Sequence, residues 1–348
     1  MYSTDFPKQP NFISHNINRS NARVACRPLK CCSLSRRKDS DFEQFLLDSQ
    51  ERIIKATELL DGSRTFLRDP WQREANAPNP GHGITAVLEG GDLLEKAAVN
   101  VSIVQGTLSA ERAKAMSSRG RGVDPEGGQA YSAAALSLVY HPAHPLVPTL
   151  RADVRRFQVG DEAWYGGGCD LTPAYLFEDD AVEFHTFWSD LCGRHQEDLY
   201  AQYKKWCDRY FYLPNWKEHR GIGGIFFDDL EAEQSSFDVE QFVRDVAGGI
   251  LPSWQPIAER QRTENFTQQQ RQWQLQRRGA YVCFNTLYDR GFRFGLNGGR
   301  IESLMVSFPP LVAWNYKVVA EENSQEDALL QVLKQPRDWV TDMSHCDH

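Results

Sequence analysis

Leu136-Ser137-Leu138-Val139-Tyr140, stopped by His141-Pro142 and followed after a Pro-rich turn by residues 150–158 (LRADVRRFQ), is the stretch that decides the fold class. Both runs are short, carry β-branched or aromatic residues and are bounded by turn formers, which predicts strands. The same pattern recurs upstream at 83–89 (GITAVLE) and 99–104 (VNVSIV), and downstream at 222–227 (IGGIFF), 280–286 (AYVCFNT) and 303–308 (SLMVSF). A sheet of about seven strands is therefore expected. Helical spacing takes over from Asp41, where Phe42, Phe45, Leu46, Ile53, Ala56 and Leu60 recur at three- and four-residue steps before Gly62 supplies a stop. Further helices are predicted at 107–117, 178–208, 238–249, 254–275 and 325–334. Strands and helices come in mixed order, not in regular βαβ alternation, so the class is α+β.

No low-complexity linker or internal repeat interrupts the chain, which predicts one domain over 41–345. The first 38 residues read differently. Up to residue 40 the chain holds eight Lys/Arg against Asp5 and Asp39, is rich in Ser and Asn, and lacks a continuous apolar core. Residues 1–38 are expected to be a transit peptide, for the chloroplast stroma or alternatively the mitochondrion, or else a disordered basic tail. The remainder carries a formal charge of −14. An acidic body argues against a nucleic-acid partner, while a small acidic ligand held by a few arginines stays compatible. No run approaches the roughly 18 apolar residues of a membrane-spanning helix, so no integral membrane association is expected. Eight cysteines without a CxxC pair indicate neither a disulfide framework nor a zinc ribbon.

Three glycine-rich segments could carry chemistry. In Trp164-Tyr165-Gly166-Gly167-Gly168-Cys169-Asp170-Leu171-Thr172-Pro173 the glycines allow close backbone approach, and Asp170 reads either as a ligand-facing carboxylate or as the cap of a tight turn. Arg220-Gly221-Ile222-Gly223-Gly224 precedes a strand rather than a helix, which removes the phosphate-loop reading. Arg220 either binds a carboxylate or pairs with Asp228 or Asp229. Tyr288-Asp289-Arg290-Gly291 and Phe294-Gly295-Leu296-Asn297-Gly298-Gly299-Arg300 frame two arginines with turns, a plausible anion site because guanidinium forks match carboxylates bidentately. His141, His144, His185, His195 and His219 lack the close spacing of a metal motif and are read as structural or solvated, with no metal expected.

Taken together these blocks resemble the oxygen-dependent coproporphyrinogen III oxidase family, from about Arg64 to Val340: EKAAVNVSIVQG at Glu95, WYGGGCDLTP at Trp164, RGIGGIFFDDL at Arg220, YDRG at Tyr288, FGLNGGRIES at Phe294 and QPRDWV at Gln335. The resemblance implies a broad antiparallel sheet flanked by helices on both faces, and a homodimer. It implies an oxidoreductase that converts two propionates of coproporphyrinogen III to vinyls in haem and chlorophyll synthesis, with dioxygen as co-substrate and no metal or organic cofactor. Such a substrate, an apolar macrocycle with four carboxylates, needs arginines for the propionates and a carboxylate for the pyrrole N–H groups. Arg155, Arg220, Arg290 and Arg300 are expected as the cations, and Asp170 or Asp289 as acceptor and base. By position, Ser137 matches the family's substrate-contacting serine and Gly298-Gly299-Arg300 its substrate segment, while His141 and His185 match histidines sometimes assigned to a metal.

The chain departs from the family at His-x-Asn-x-Arg, where it has Arg151-Ala152-Asp153-Val154-Arg155. Arg151 stands in the place of the proposed proton donor, a role a guanidinium of pKa above about 12 cannot fill near neutrality, and Asp153 stands among the substrate contacts. Gln105, Asn215 and Cys283 are further departures, as is Pro80-Gly81-His82-Gly83 in place of a four-glycine run. They leave a second reading open: a paralogue with impaired catalysis that binds tetrapyrrole or pairs with an active oxidase.

Overall fold

The computed structural model describes residues 30–340, apart from positions 75, 78, 119, 297 and 298. The basic leader up to residue 29 lies outside these. From Lys30 the chain forms helix α1 (Lys30–Asp61), ended by Gly62 in the left-handed region at φ +80°. Then come β1 (Leu67–Gln72), β2 (Gly81–Glu89), β3 (Leu94–Thr107), α2 (Ala110–Ser117), β4 (Ala130–Pro142), β5 (Thr149–Val159) and β6 (Glu162–Thr172). Helices α3 (Glu178–Gly193) and α4 (Leu199–Tyr210) and the small hairpin β7 (Tyr212–Leu213) and β8 (Glu218–His219) lead to β9 (Gly223–Leu230). Six helices close the chain: α5 (Val239–Gly249), α6 (Gln255–Gln261), α7 (Gln268–Leu287), α8 (Arg290–Leu296), α9 (Ile301–Met305) and α10 (Gln325–Lys334).

The main sheet has seven antiparallel strands in the order β1-β2-β3-β4-β5-β6-β9. Alternation gives it two chemically distinct faces. Leu136, Leu138 and Tyr140 of β4, with Leu150, Ala152 and Val154 of β5, point into the apolar core shared with α1, α3, α5, α6 and α10. On α1, Phe42, Leu46, Ile53 and Ile54 are buried there, each contributing about 1.5–3 kcal/mol of transfer free energy. Gln50 on the same helix donates through Nε2 to Ile84 O at 3.0 Å and Val99 O at 2.7 Å. The opposite face is covered in part by α7 to α9, where Tyr281 packs on Ala98 and Val139. Helices thus flank both faces, as expected.

A sheet of about seven strands was expected and the main sheet has seven, but two of them differ from the expectation. Residues 280–286 are helical, in α7, and 303–308 are the end of α9 and the turn after it. In α7 the buried residues Arg277, Tyr281, Phe284 and Asn285 follow three- and four-residue spacing, so the apolar run is one helix face laid on the sheet, a pattern that a short window cannot separate from a strand. Their places are taken by β1, which contains Pro70 and sits at the sheet edge where a missing N–H is tolerated, and by β6, the glycine-rich segment whose three glycines suggested a turn. The helix expected over 254–275 is two, α6 and α7, with Thr267 and Gln270 forming a reciprocal capping box at the start of α7.

Candidate active site

Antiparallel register places one residue from each strand in a single row across the second face: Asp69, Thr85, Asn100, Ser137, Asp153, Gly168 and Phe226. Beside it, Arg155 lies opposite Gly166, and on the other side Arg151 lies opposite Asp170. Polar side chains on a sheet face next to an apolar helix layer are costly unless they are paired or reach solvent. Here Ser137, Arg151, Asp153 and Arg155 are half-buried, so the middle of the row forms a partly open floor.

Ions and aromatic rings line the β9 side of this floor. Arg155 pairs with Asp153 and, through Nη2, with Asp228 Oδ1 at 3.0 Å. Asp228 also takes Arg290 Nη2 at 3.4 Å. The Arg290 guanidinium lies 4.9 Å over the ring of Tyr210, its backbone N–H donates to Tyr210 Oη at 3.2 Å, and Tyr210 stacks on Phe226 at 4.3 Å. Burial opposes the charge on Arg155, but Asp228 and Asp153 outweigh it and hold its pKa above the ordinary arginine value. Gly166 makes room for the pair, since a Cβ there would lie 2.7 Å from both Arg155 Nη2 and Asp228 Oδ1. Farther along the same face, Tyr131, Phe157 and Trp164 stack at 5.3 and 5.1 Å.

The other side is closed by the turn into α9. Arg300 donates through Nη2 to Asp69 Oδ2 at 2.7 Å and through Nη1 to Ser303 Oγ at 3.2 Å. Ser303 Oγ meets Thr85 Oγ1 at 2.6 Å, and its carbonyl accepts from Asn100 Nδ2 at 3.4 Å. The face therefore carries a carboxylate near its centre and arginines at both margins, an arrangement suited to a ligand with several peripheral carboxylates.

Several expected site residues sit elsewhere or do other things. Arg220 is 1% exposed and makes a 2.5 Å ion pair with Asp170, itself 4% exposed. Its guanidinium carbon lies 3.9 Å from the Phe211 ring centre, 4.9 Å from Phe284 and 5.0 Å from Tyr281. The expectation that Arg220 holds a substrate carboxylate is corrected: its partner is Asp170, neither Asp228 nor Asp229, and no face of it is open. Asp170 is likewise enclosed, so in this conformation it does not offer an accessible base; burial raises its pKa while Arg220 and then Arg151 pull it back. Asp289 accepts Phe292 N–H at 2.8 Å and so holds the first turn of α8. Arg151 turns its guanidinium back on the sheet, donating to Leu138 O at 3.0 Å and to Ala152 O. Gly299 is exposed, its N–H bonded to Gly295 O at 2.7 Å, and Gly298 lies outside the described residues.

The two histidines with a possible metal role do not converge. His141 Nε2–H donates to Ser307 O at 2.9 Å on the site face, and burial, Arg278 and lesser neighbours push its pKa down to about 3. His185 is on α3 in the opposite core, bonded to Tyr200 Oη at 2.9 Å and Ile222 O at 3.1 Å. Among the described residues no group of three His, Cys, Asp or Glu side chains could hold a metal ion, and the donors of these two rings do not fit one. No described helix is long and apolar enough to cross a membrane.

Asp228, Tyr210 and Phe226 were not foreseen as site residues. Alternation along β9 puts Phe226 and Asp228 on one face, and that period of two was the available signal. Asp69, Asn100 and Ser303 belong to the site only through strand register and the return of α9, which no local pattern encodes.

A family model described as "Coproporphyrinogen III oxidase" matches residues 41–339. The oxygen-dependent coproporphyrinogen-III oxidase, mitochondrial, of Homo sapiens is 44% identical over 306 residues, covering 86% of this chain and 66% of its own. The rat protein of the same description (Rattus norvegicus) is 42% identical over 319 residues, covering 88% and 71%. The chain thus spans about two thirds of the length of these relatives.

Proposed function

The chain belongs to the coproporphyrinogen III oxidase family, and from that premise we propose that it is the oxygen-dependent oxidoreductase of porphyrin synthesis. It converts two propionates of coproporphyrinogen III to vinyls, giving protoporphyrinogen IX. In each step the propionate loses its carboxylate as carbon dioxide and one hydrogen from the adjacent carbon chain, while dioxygen takes the two electrons and leaves as hydrogen peroxide. The two electrons come from the broken C–H and C–carboxylate bonds of the propionate; the electron-rich pyrrole passes them to dioxygen and returns to its starting oxidation level, and one proton from solvent completes hydrogen peroxide, so dioxygen is the co-substrate and neither metal nor organic cofactor is required.

The observation that carries this reading is Asp153 in the middle of the row, with Arg155 and Arg290 on one side and Arg300 on the other. Asp153 accepts the pyrrole N–H groups, and the three arginines take propionates, Arg155 and Arg290 from the positions Asp228 gives them and Arg300 from the position Asp69 gives it. Ser137 donates to the ligand next to Asp153. Arg151, opposite Asp170, places a positive charge beside the floor and is not a proton donor. Asp170 and Arg220 hold the floor against α7. Tyr210 and Phe157, the half-buried rings, give the macrocycle apolar surface, with Phe226 stacked against the first and Tyr131 and Trp164 against the second.

The working unit is a homodimer in this proposal. Leu296, Ile301, Met305, Leu311, Trp314 and Val319 are all exposed, more apolar surface in one segment than a monomer ordinarily leaves bare. The leader is proposed to direct the protein to an organelle: its serine-rich, basic composition supports the plastid stroma, and hence chlorophyll supply, while the relatives' descriptions support the mitochondrion. Import into isolated organelles separates the two. For the activity, the full chain is mixed anaerobically with chemically reduced coproporphyrinogen III, air is admitted, and the oxidised porphyrins are separated by chromatography. Protoporphyrin and a tricarboxylic intermediate above the protein-free control are expected; their absence overturns the oxidase reading.

A further inference from the structure

Between α7 and the ends of β5 and β6 lies a small cavity of about 10 Å³, with Thr149, Thr172, Gln274, Arg277, Arg278 and Tyr281 in its wall. All six are at least nine-tenths buried. The space is enough for one small monatomic ion or one water. Four of these side chains carry buried polar atoms with no hydrogen-bond partner: Thr172 Oγ1, Arg277 Nε, Arg278 Nε and Tyr281 Oη. The two Nε groups can only donate, so the wall asks for an acceptor.

The surrounding charge is also unbalanced. Arg271 and Arg278 share one carboxylate, Glu95, at 2.8 and 2.6 Å, and Arg277 has Glu218 at 2.9 Å. Three guanidinium groups therefore face two carboxylates. Arg220, the next cation inward, is already matched by Asp170. Desolvation, and in smaller part Arg271, lower the pKa of Arg278 even though Glu95 is bonded to it, as an under-compensated buried cation requires. A water would satisfy one or two donors and leave the charge; a monovalent anion satisfies both demands.

We infer that this cavity is a binding site for a chloride-sized anion, which holds α7 to the β5–β6 end of the sheet. The occupant completes the coordination of Arg277, Arg278 and the Thr172 hydroxyl, behind the Tyr281 ring that packs on Arg220. Its function is to fix the helix that roofs the floor described above, and it takes no part in the proposed reaction.

The test uses the full-length protein and bromide, which fills a chloride site and is visible by anomalous diffraction. Crystals grown or soaked in bromide are expected to show an anomalous peak within the cavity. At constant ionic strength, replacing gluconate, which is too large to enter, by 200 mM chloride is expected to raise Tm by about 3 °C with saturation. In Thr172→Val, which keeps the side-chain volume but removes the hydroxyl, the chloride-dependent part of that rise is expected to fall by at least half, whatever the variant's own Tm. An ordered water in the cavity with no bromide signal overturns the inference, and so does an identical Tm in chloride and gluconate for the parent protein. Neither result depends on turnover, so failure here is separate from failure of the oxidase reading.

Discussion

Gly166→Ala should damage substrate capture while leaving the fold nearly intact. The new Cβ would stand 2.7 Å from Arg155 Nη2 and from Asp228 Oδ1 and 2.8 Å from Arg155 Cζ. Ordinary contact is about 3.5–4.0 Å, so each side chain must retreat by about 1 Å. Both are the mobile ends of long or rotatable groups, and they can move away without disturbing the sheet. The 3.0 Å Arg155–Asp228 pair cannot survive that movement as a hydrogen bond. A charge-assisted bond of this kind is worth roughly 1.5–3 kcal/mol when well shielded. Arg155 is 31% exposed and Asp228 11%, so a discounted figure of about 1–2 kcal/mol applies. If Arg155 binds a propionate from the position Asp228 gives it, kcat/KM should fall about five- to thirtyfold, mostly through KM. Steady-state oxidation of coproporphyrinogen III, with urea unfolding in parallel, measures both sides. Gly168→Ala is the contrast, because its Cβ would meet Ile225 O at 2.5 Å and the Phe226 Cα at 3.2 Å. Backbone cannot step aside, so that variant should lose about 1–3 kcal/mol of stability. A folded Gly166→Ala protein with kcat/KM within twofold of the parent would refute the role given to the Arg155–Asp228 pair.

Arg220→Met should unfold more easily by about 3–5 kcal/mol, since it strands the buried Asp170 carboxylate without its partner; the double variant with Asp170→Leu should recover much of the loss, as urea midpoints would show. For His141, the folded pKa of about 3 lies below the ordinary 6.5, so below pH 6.5 the unfolded chain takes up a proton that the folded chain refuses. Its contribution is intact above about pH 6.5 and is lost on acidification at about 1.4 kcal/mol per pH unit down to about pH 3. His141→Gln should flatten the stability profile between pH 6.5 and 4.5 by that slope, and an unchanged slope would contradict a neutral buried ring. Trp314→Glu places a charge on the apolar segment 61% exposed in the single chain, and sedimentation velocity should then report a monomer where the parent sediments as a dimer.

Much of the fold was legible where local chemistry and tertiary packing agree. Helix α10 begins and ends at the residues its pattern predicted, 325 and 334, because Ser324 caps the first turn through Asp327 N–H and a clean apolar face follows. Sheet size was legible too, but not every strand. Strand β6 hid behind glycines that allow close approach: Gly166 to the Arg155–Asp228 pair, and Gly167 and Gly168 to the backbone of the neighbouring strands, demands that exist only once β5 and β9 lie beside it. Residues 280–286 misled because Tyr281 and Phe284 belong to one helix face pressed on the sheet. Of the site, the cations Arg155, Arg290 and Arg300 were readable as anion-binding residues. Their counter-charges Asp228 and Asp69 were not readable as partners, since each pairing joins separate segments, up to 231 positions apart for Arg300 and Asp69; Asp153, two residues from Arg155 on the same strand, was within reach of a local reading.

The seven-residue row also limits how the chain can vary in length. Successive strand residues face opposite sides, so deleting one residue from the first half of β5 would exchange the two faces for part of that strand. Arg151 and Asp153 would then point into the apolar core, and Ala152 and Val154 would stand on the floor between Ser137 and Gly168. Substitutions on this sheet can be tried one side chain at a time, whereas insertions and deletions act on folding and ligand capture together. Indel tolerance in such a protein should therefore concentrate in exposed turns between the strands, as in residues 124–128, and a deletion scan would show the sheet as a set of intolerant blocks between them.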